Sequence, residues 1–257
     1  MSDKPTIGII GHGRFGTLWT QILRRHGYRV TGYDPRVRKE TIDDDFLFIL
    51  VPISDFESCC KSVVPFLHPK TVVVDACSVK MHPARVMRNV FPRTQSLIAT
   101  HPLFGPDSVR QSGLKAKKIV VSYLRASKEV RKHVEEMLRA LGITIIHSTP
   151  QHHDQQMARS QALVHFIGRG LEPLALRGQS IATPDYDTLL NMADLVHHDT
   201  RQLFRDMQNY NPYSKSVRRS FLNKLQKLEK EFTAFPTTVI PDLIRDPERN
   251  KKENLRS

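Results

Sequence analysis

Three short stretches of this chain carry side chains able to move a proton or hold an anion. His101 stands in HPLFGP, between an apolar run and rigid turn residues, and Ser78 and Lys80 close DACSVK. An imidazole with its ordinary pKa of about 6.5 can take a proton from an alcohol as a hydride leaves the alcohol carbon. A serine nearby can orient the imidazole or the alcohol. Gln161, His165 and Arg169 recur at steps of four, which on a helix puts three polar groups on one face. Taken alone, a histidine before proline is also a common packed turn residue, and a polar face is also what solvent covers. The elements that position these groups must decide.

The chain opens on TIGIIG, a short apolar run ending in glycine, followed by apolar residues at helical spacing from Phe15 to His26. Strand, turn and helix are therefore expected. The turn reads GHGRFG and supplies Gly11, Gly13 and Gly16. In this pattern the first glycine permits the tight turn, the second lets the backbone approach a pyrophosphate, and the third allows close helix–strand contact. Free N–H groups at the helix start face the anion. YRVTGYD makes a second strand, and Asp34 at its end lies 18 residues past Gly16, where a carboxylate can bind both ribose hydroxyls of a dinucleotide. Arg14 and Phe15 in the turn, and Pro52 at the end of FLFILVP, are assigned to the same cofactor. The ring of Phe15, like Trp19 and Phe104, is read as packing. Asp34 repels a 2′-phosphate and so favours NAD over NADP, although Arg36 and Arg38 could hold one.

FLFILVP, KTVVVDAC, SLIATHP and KKIVVSY continue the series of short β-rich runs. Apolar strands alternating with helices imply a parallel sheet covered on both faces. After GITIIHSTP no further strand is expected. The fold class is thus α/β: an N-terminal Rossmann-type doubly wound sheet over residues 1–149, then an all-helical substrate and dimerisation domain over 150–235. A polar, proline-containing tail, expected to be disordered, occupies 236–257. In such a sheet ligands lie beyond the carboxyl ends of the strands, which places Ser78 and His101 in one crevice. Phe221, Leu225, Leu228 and Phe232 form a helical stripe that fits either a dimer interface or an intrachain core.

The chain has a net charge of +13 and 39% apolar residues, enough for a core. Residues 1–148 carry 23 Lys+Arg against 13 Asp+Glu, and the remainder 16 against 13. The basic excess is scattered and lacks interleaved aromatics, so an anionic small substrate is expected and nucleic acid is not. No apolar run suits a leader or a membrane span, and the cytoplasm is the expected compartment. Cys59, Cys60 and Cys77 suggest neither disulfides nor zinc. The pairs in QHHD and VHHD, His152 with His153 and His197 with His198, lie beside Asp154 and Asp199. Adjacent helical residues diverge by about 100°, so no metal site is expected.

DACSVK followed by HPLFGPDS resembles the paired motifs of the prephenate and arogenate dehydrogenase family. DQQMARSQALVHFIGRGLEPLAL and PDYDTLLNMADLVHHDTRQLFRDMQNYNPYS look like its plant arogenate members, and the likeness covers most of residues 5–232. The resemblance implies oxidative decarboxylation: hydride leaves ring C4 for a nicotinamide, the C4 hydroxyl loses its proton, and the ring carboxylate departs as carbon dioxide in tyrosine biosynthesis. It makes His101 the catalytic histidine, Ser78 the serine sharing the substrate hydroxyl, and Gln161 and His165 borders of the substrate pocket. Arg169 is added because its charge and spacing suit a carboxylate. Asn191 in TLLNMAD falls at or near a position where many bacterial prephenate enzymes carry an arginine, which leans the reading towards arogenate and puts a prephenate-only preference in doubt. A homodimer is expected. The competing readings are a prephenate-preferring dehydrogenase, a β-hydroxyacid dehydrogenase, disfavoured because the helix around Gln161 has no lysine, and a noncatalytic nucleotide-sensing Rossmann protein.

Overall fold

A computed structural model describes residues 4–34, 41–196 and 199–233. Arg36, Arg38, His197, His198 and the tail from 236 onward lie outside the described residues. The chain forms two compact units, Met1–Arg218 and Arg219–Ser257.

In the first unit seven strands make one sheet: β1 (Ile7–Ile10), β2 (Val30–Tyr33), β3 (Phe46–Ile49), β4 (Val72–Asp75), β5 (Leu97–Pro102), β6 (Lys118–Arg125) and β7 (Thr144–His147), in the order β2-β1-β3-β4-β5-β6-β7. Helices α1 (Arg14–Arg25), α2 (Phe56–Val63), α3 (Met81–Val90), α4 (Pro106–Ser112) and α5 (Lys128–Ala140) fall between strands. Side-chain alternation splits the core in two. Ile7, Ile9, Phe46, Phe48, Val72 and Val74 face one layer with residues of α1 and α5, whereas Ile10, Leu47, Ile49 and Val73 face the other with residues of α2 and α3. Both faces are therefore dry, which is why the central strands read as unbroken apolar runs.

Strands β1 to β5 are parallel. KKIVVSY departs from the all-parallel expectation, because β6 runs antiparallel to β5 and carries β7 parallel to itself. The chain turns back after β5, with Leu103 N–H donating to the Lys118 carbonyl, instead of crossing the sheet. The order reverses between β1 and β3, so the crevice beyond their carboxyl ends is the topological switch point where such sheets bind ligands.

From Pro150 every described element is helical: α6 (Pro150–Arg159), α7 (Gln161–Leu171), α8 (Pro184–Leu195), α9 (Arg201–Tyr210) and α10 (Ser214–Thr233). Helices α7 and α8 meet closely at Gly168, where a Cβ would come within 2.6 Å of the Met192 carbonyl oxygen. Residues 219–233 of α10 belong to the second unit, in which Leu225, Leu228 and Phe232 are exposed. Among the described residues no helix is long and apolar enough to cross a membrane.

Candidate active site

The glycine turn is built by backbone constraints. Gly11 has φ +98°, a left-handed conformation, and a Cβ there would meet the Leu50 carbonyl oxygen at 2.4 Å. Gly16 lies so close to the Gly11 carbonyl that a Cβ would approach its oxygen to 1.8 Å. Gly13 caps α1 in extended conformation, and a Cβ there would meet nothing within 4 Å. The turn thus closes behind and stays open in front, where the start of α1, with no acidic residue in its first turn, points its free N–H groups.

That opening leads into a cavity of about 860 Å³. Its wall includes Gly11, Gly13, Arg14, Phe15, Gly16 and Pro52 from the expected cofactor set, and Ser78, His101 and Gln161 from the expected chemical set. A second cavity of about 650 Å³ holds Asp34, Tyr33 and Ser58, and shares Gly11, His12, Val51 and Pro52 with the first. The two meet at these four residues, an arrangement suited to a dinucleotide with its adenosine half by Asp34 and its other half by His101. Phe15 serves packing as well, its ring stacking on Trp19 at 5.9 Å.

His101 is the penultimate residue of β5 and is buried. Its Nδ1 lies 2.9 Å from Nε2 of His153 on α6, and His153 Nδ1 lies 2.8 Å from Oδ1 of Asp154. Asp154 also accepts the backbone N–H groups of Lys80 at 2.7 Å and Met81 at 2.9 Å, capping α3. Burial, then the neighbouring His153, then the Lys80 charge push the His101 pKa well below its ordinary value, so the ring is held neutral. Lys80 itself is fully buried, its ammonium on the Asp75 carboxylate and the Thr100 carbonyl. It supports the crevice from behind and does not line it.

The expected polar face of α7 divides. Gln161 lines the large cavity. His165, one turn on, is buried behind it, with Nδ1 3.5 Å from Asp199 Oδ2 but without hydrogen-bond geometry. Burial chiefly lowers its pKa, so this ring too is held neutral. Arg169, expected to hold a substrate carboxylate, instead pairs with Glu172 at 3.2 Å and donates to the Asp199 carbonyl at 2.7 Å. Asn191 is exposed on α8 and is not brought to the cavity wall, because α8 turns its Met192 side towards α7.

Several wall residues were given no site role from the sequence, Asp199 among them, which was read only as a neighbour of the VHHD histidines. His12 lines both cavities with its ring over Gly32, and Asp199, Thr200, Gln202 and Asp206 enter from α9 and the residues before it. Asp206 accepts hydrogen bonds from the backbone N–H and hydroxyl of Ser54, both at 3.1 Å, tying α9 to the turn after β3. His153 and Asp154 were visible in QHHD, and the divergence of adjacent helical residues separates the two histidines of that stretch: His152 is exposed while His153 is buried. What no local pattern shows is that His153 meets a ring 52 residues away.

A family model described as "Prephenate dehydrogenase, nucleotide-binding domain" matches residues 37–147, and one described as "TYRAAT1-like, C-terminal domain" matches residues 171–239. The chain is 28% identical to arogenate dehydrogenase 2, chloroplastic, of Arabidopsis thaliana, over 91% of its own length and 69% of that protein. It is 26% identical to arogenate dehydrogenase 1, chloroplastic, of the same plant, again over 91% of its own length but only 38% of that protein. The crystal structure of prephenate dehydrogenase from A. aeolicus, in complex with hydroxyphenyl propionate and NAD+, shares the fold with a TM-score of 0.68 at 17% identity, over 98% of this chain and 94% of that one. With a glycine turn, a histidine crevice beside it, a match to the prephenate dehydrogenase nucleotide-binding domain over residues 37–147 and these relatives along nearly its whole length, the chain is similar to the prephenate and arogenate dehydrogenases.

Proposed function

We propose that the chain is an NAD(P)-dependent dehydrogenase of tyrosine biosynthesis that oxidatively decarboxylates arogenate in preference to prephenate. One observation carries this reading: Ser78 and His101 share a cavity wall with the glycine turn. A ring held against His101 would therefore lie beside a dinucleotide held by the glycine turn and the free N–H groups at the start of α1. When bound, NAD(P) supplies the hydride acceptor. The chain's own work is to position the ring and accept one proton. Apolar wall residues Leu50, Val51, Ile53, Phe104 and Leu203 pack the ring and exclude water. Ser78 shares the C4 hydroxyl, and neutral His101 takes its proton as the C4 hydrogen departs and the ring carboxylate leaves as carbon dioxide. Aromatisation drives the step.

The preference for arogenate rests on Asp199. Arogenate carries an ammonium where prephenate carries a keto oxygen, and a carboxylate in the wall attracts the first and opposes the second. Gln161, Thr200, Gln202 and the N-terminus of α9 supply donors for carboxylates. Asp34 beside the smaller cavity supports NAD over NADP. Steady-state rates with arogenate and with prephenate, each with NAD and with NADP, test the reading. The expected order is arogenate first, with Asp199→Asn lowering that preference by about 10- to 100-fold. No turnover in any of the four combinations would end it.

We infer also that the chain pairs with a second copy through α10. Leu225, Leu228 and Phe232, at steps of three and four, are 44%, 49% and 65% exposed, the spacing of a coiled-coil seam. Sedimentation of a Leu225→Glu, Leu228→Glu variant as a monomer supports pairing; an unchanged mass removes it.

A further inference from the structure

We propose that His153 and Asp154 form a positioning pair that fixes the tautomer of His101, and with it the atom that accepts the substrate proton; this rests on the dehydrogenase reading above. The direction of the hydrogen bonds follows from what each group can do. Asp154 receives two backbone N–H groups, from Lys80 on Oδ1 and Met81 on Oδ2. A backbone N–H only donates, so the carboxyl acts as an acceptor on both oxygens. The contact between His153 Nδ1 and Asp154 Oδ1 then requires the proton on His153 Nδ1. A neutral imidazole has one N–H, which leaves Nε2 of His153 with a lone pair facing His101. The 2.9 Å contact is accordingly donated by His101 Nδ1. His101 Nε2 is left bare, the only ring nitrogen still able to take a proton from a ring hydroxyl.

The chain of donors would reverse if His153 were an imidazolium, since it would then donate at both ends and force the His101 proton onto Nε2. Its surroundings oppose that. Burial is the largest influence on His153 and lowers its pKa, the Lys80 ammonium lowers it further, and the bond to Asp154 offsets this only in part, with Asp75 also raising it. The pair is held rigidly from three sides. Asp154 is fully buried and caps α3, Asn211 after α9 donates to its carbonyl at 2.8 Å, and Thr149 caps α6 through the His152 N–H. Once His101 has taken the proton, its Nδ1–H remains bonded to His153 and the positive charge is stabilised along the bonds that end on Asp154. The arrangement is that of a base oriented by a carboxylate, with one imidazole interposed.

His153→Leu removes the acceptor facing His101 and His153→Gln supplies one in its place, so the two separate positioning from packing. The expected result is a kcat about 100-fold lower or more in His153→Leu, with KM and dinucleotide affinity little changed, and substantial recovery in His153→Gln. In a His101→Asn background the His153→Leu change should cost nothing further, because the residue acts through His101. Full losses in both backgrounds, or equal losses in Leu and Gln, would mean a structural role and overturn the proposal. If His101→Asn itself runs at the wild-type rate, the dehydrogenase reading fails instead. Independently of turnover, ¹⁵N NMR of histidine-labelled wild-type protein should show His101 protonated on Nδ1 and bare on Nε2; the opposite tautomer refutes the pair.

Discussion

The glycine turn lines the same 860 Å³ cavity as Ser78, His101 and Asp199 of the histidine cluster, yet the two are made differently. The turn is six consecutive residues, Gly11 to Gly16, and its function lies in backbone: what is missing from Cβ positions and where N–H groups point. The cluster draws Ser78 from the loop after β4, His101 from β5, His153 and Asp154 from α6 and Asp199 from the approach to α9. Its function lies in side chains that meet only after folding. A backbone site tolerates change in the residues between its glycines, whereas an assembled site depends on the buried groups that hold each contributor in place.

The largest expected effect tests that dependence. Lys80→Met leaves the fully buried Asp75 carboxyl without its ammonium, and breaking a buried pair in this way destabilises by about 3–5 kcal/mol. Burial already raises the Asp75 pKa and Lys80 opposes this, so in the variant Asp75 should take up a proton. The folded-state pKa then lies further above the unfolded value, and the variant's stability should be greatest at acid pH and fall as pH rises above about 4. Urea unfolding as a function of pH measures both. A loss below about 1 kcal/mol with no pH trend would mean that the pair is not what holds the crevice.

Gly16→Ala is the matching blow to the backbone site. Its Cβ would meet a backbone oxygen at 1.8 Å, and a backbone clash of that kind costs about 3 kcal/mol, the upper range for overpacking. Gly13→Ala should fold as the parent does, since its Cβ meets nothing within 4 Å, while weakening dinucleotide binding in titrations because the methyl group occupies the anion's approach. If both variants behaved alike, the three glycines would not have separate roles.

The same contrast explains what could be read from the sequence. The glycine turn, Asp34 and the apolar strands are local patterns, and the structure has them where the spacing puts them. The antiparallel β6 was not legible, because KKIVVSY carries the same apolar signature whichever way it pairs. Arg169 had the charge for a carboxylate, but Glu172, three residues on, and the Asp199 carbonyl engage it. Helical spacing gives the face on which a residue lies, not the partner it finds there. His153 and Asp199 were seen only as parts of histidine–aspartate pairs, because their partners stand on other elements.

A third test uses pH. Burial is the first cause of the lowered pKa values of His101, His153 and His165. Each should be neutral when folded and protonated when unfolded in the window beginning at the ordinary value of about 6.5 and extending down to the lowered one. Stability conferred by these rings is fully present above that window and falls as pH falls through it, by up to about 1.4 kcal/mol per pH unit for each ring. The acid limb of kcat should likewise lie below about 6.5, since His101 must be neutral to accept a proton. Stability that is level between pH 7 and 5, or an acid limb above 7, would show these rings to be in contact with water.

The smallest expected effect lies where the two regions meet. Arg14 of the glycine turn and Asp107 of α4 are 2.6 Å apart, with side chains 50% and 30% exposed. Water screens a pair that exposed, and Arg14→Ala should change stability by less than about 1 kcal/mol. The residue also lines the large cavity, but in the proposed reading the anion would be held chiefly by backbone N–H groups at the start of α1. Dinucleotide affinity in the variant should therefore fall by no more than about five-fold, the equivalent of 1 kcal/mol. A far larger loss of affinity would place the anion site in a side chain after all, and the two walls of the cavity would differ less in construction than their geometry indicates.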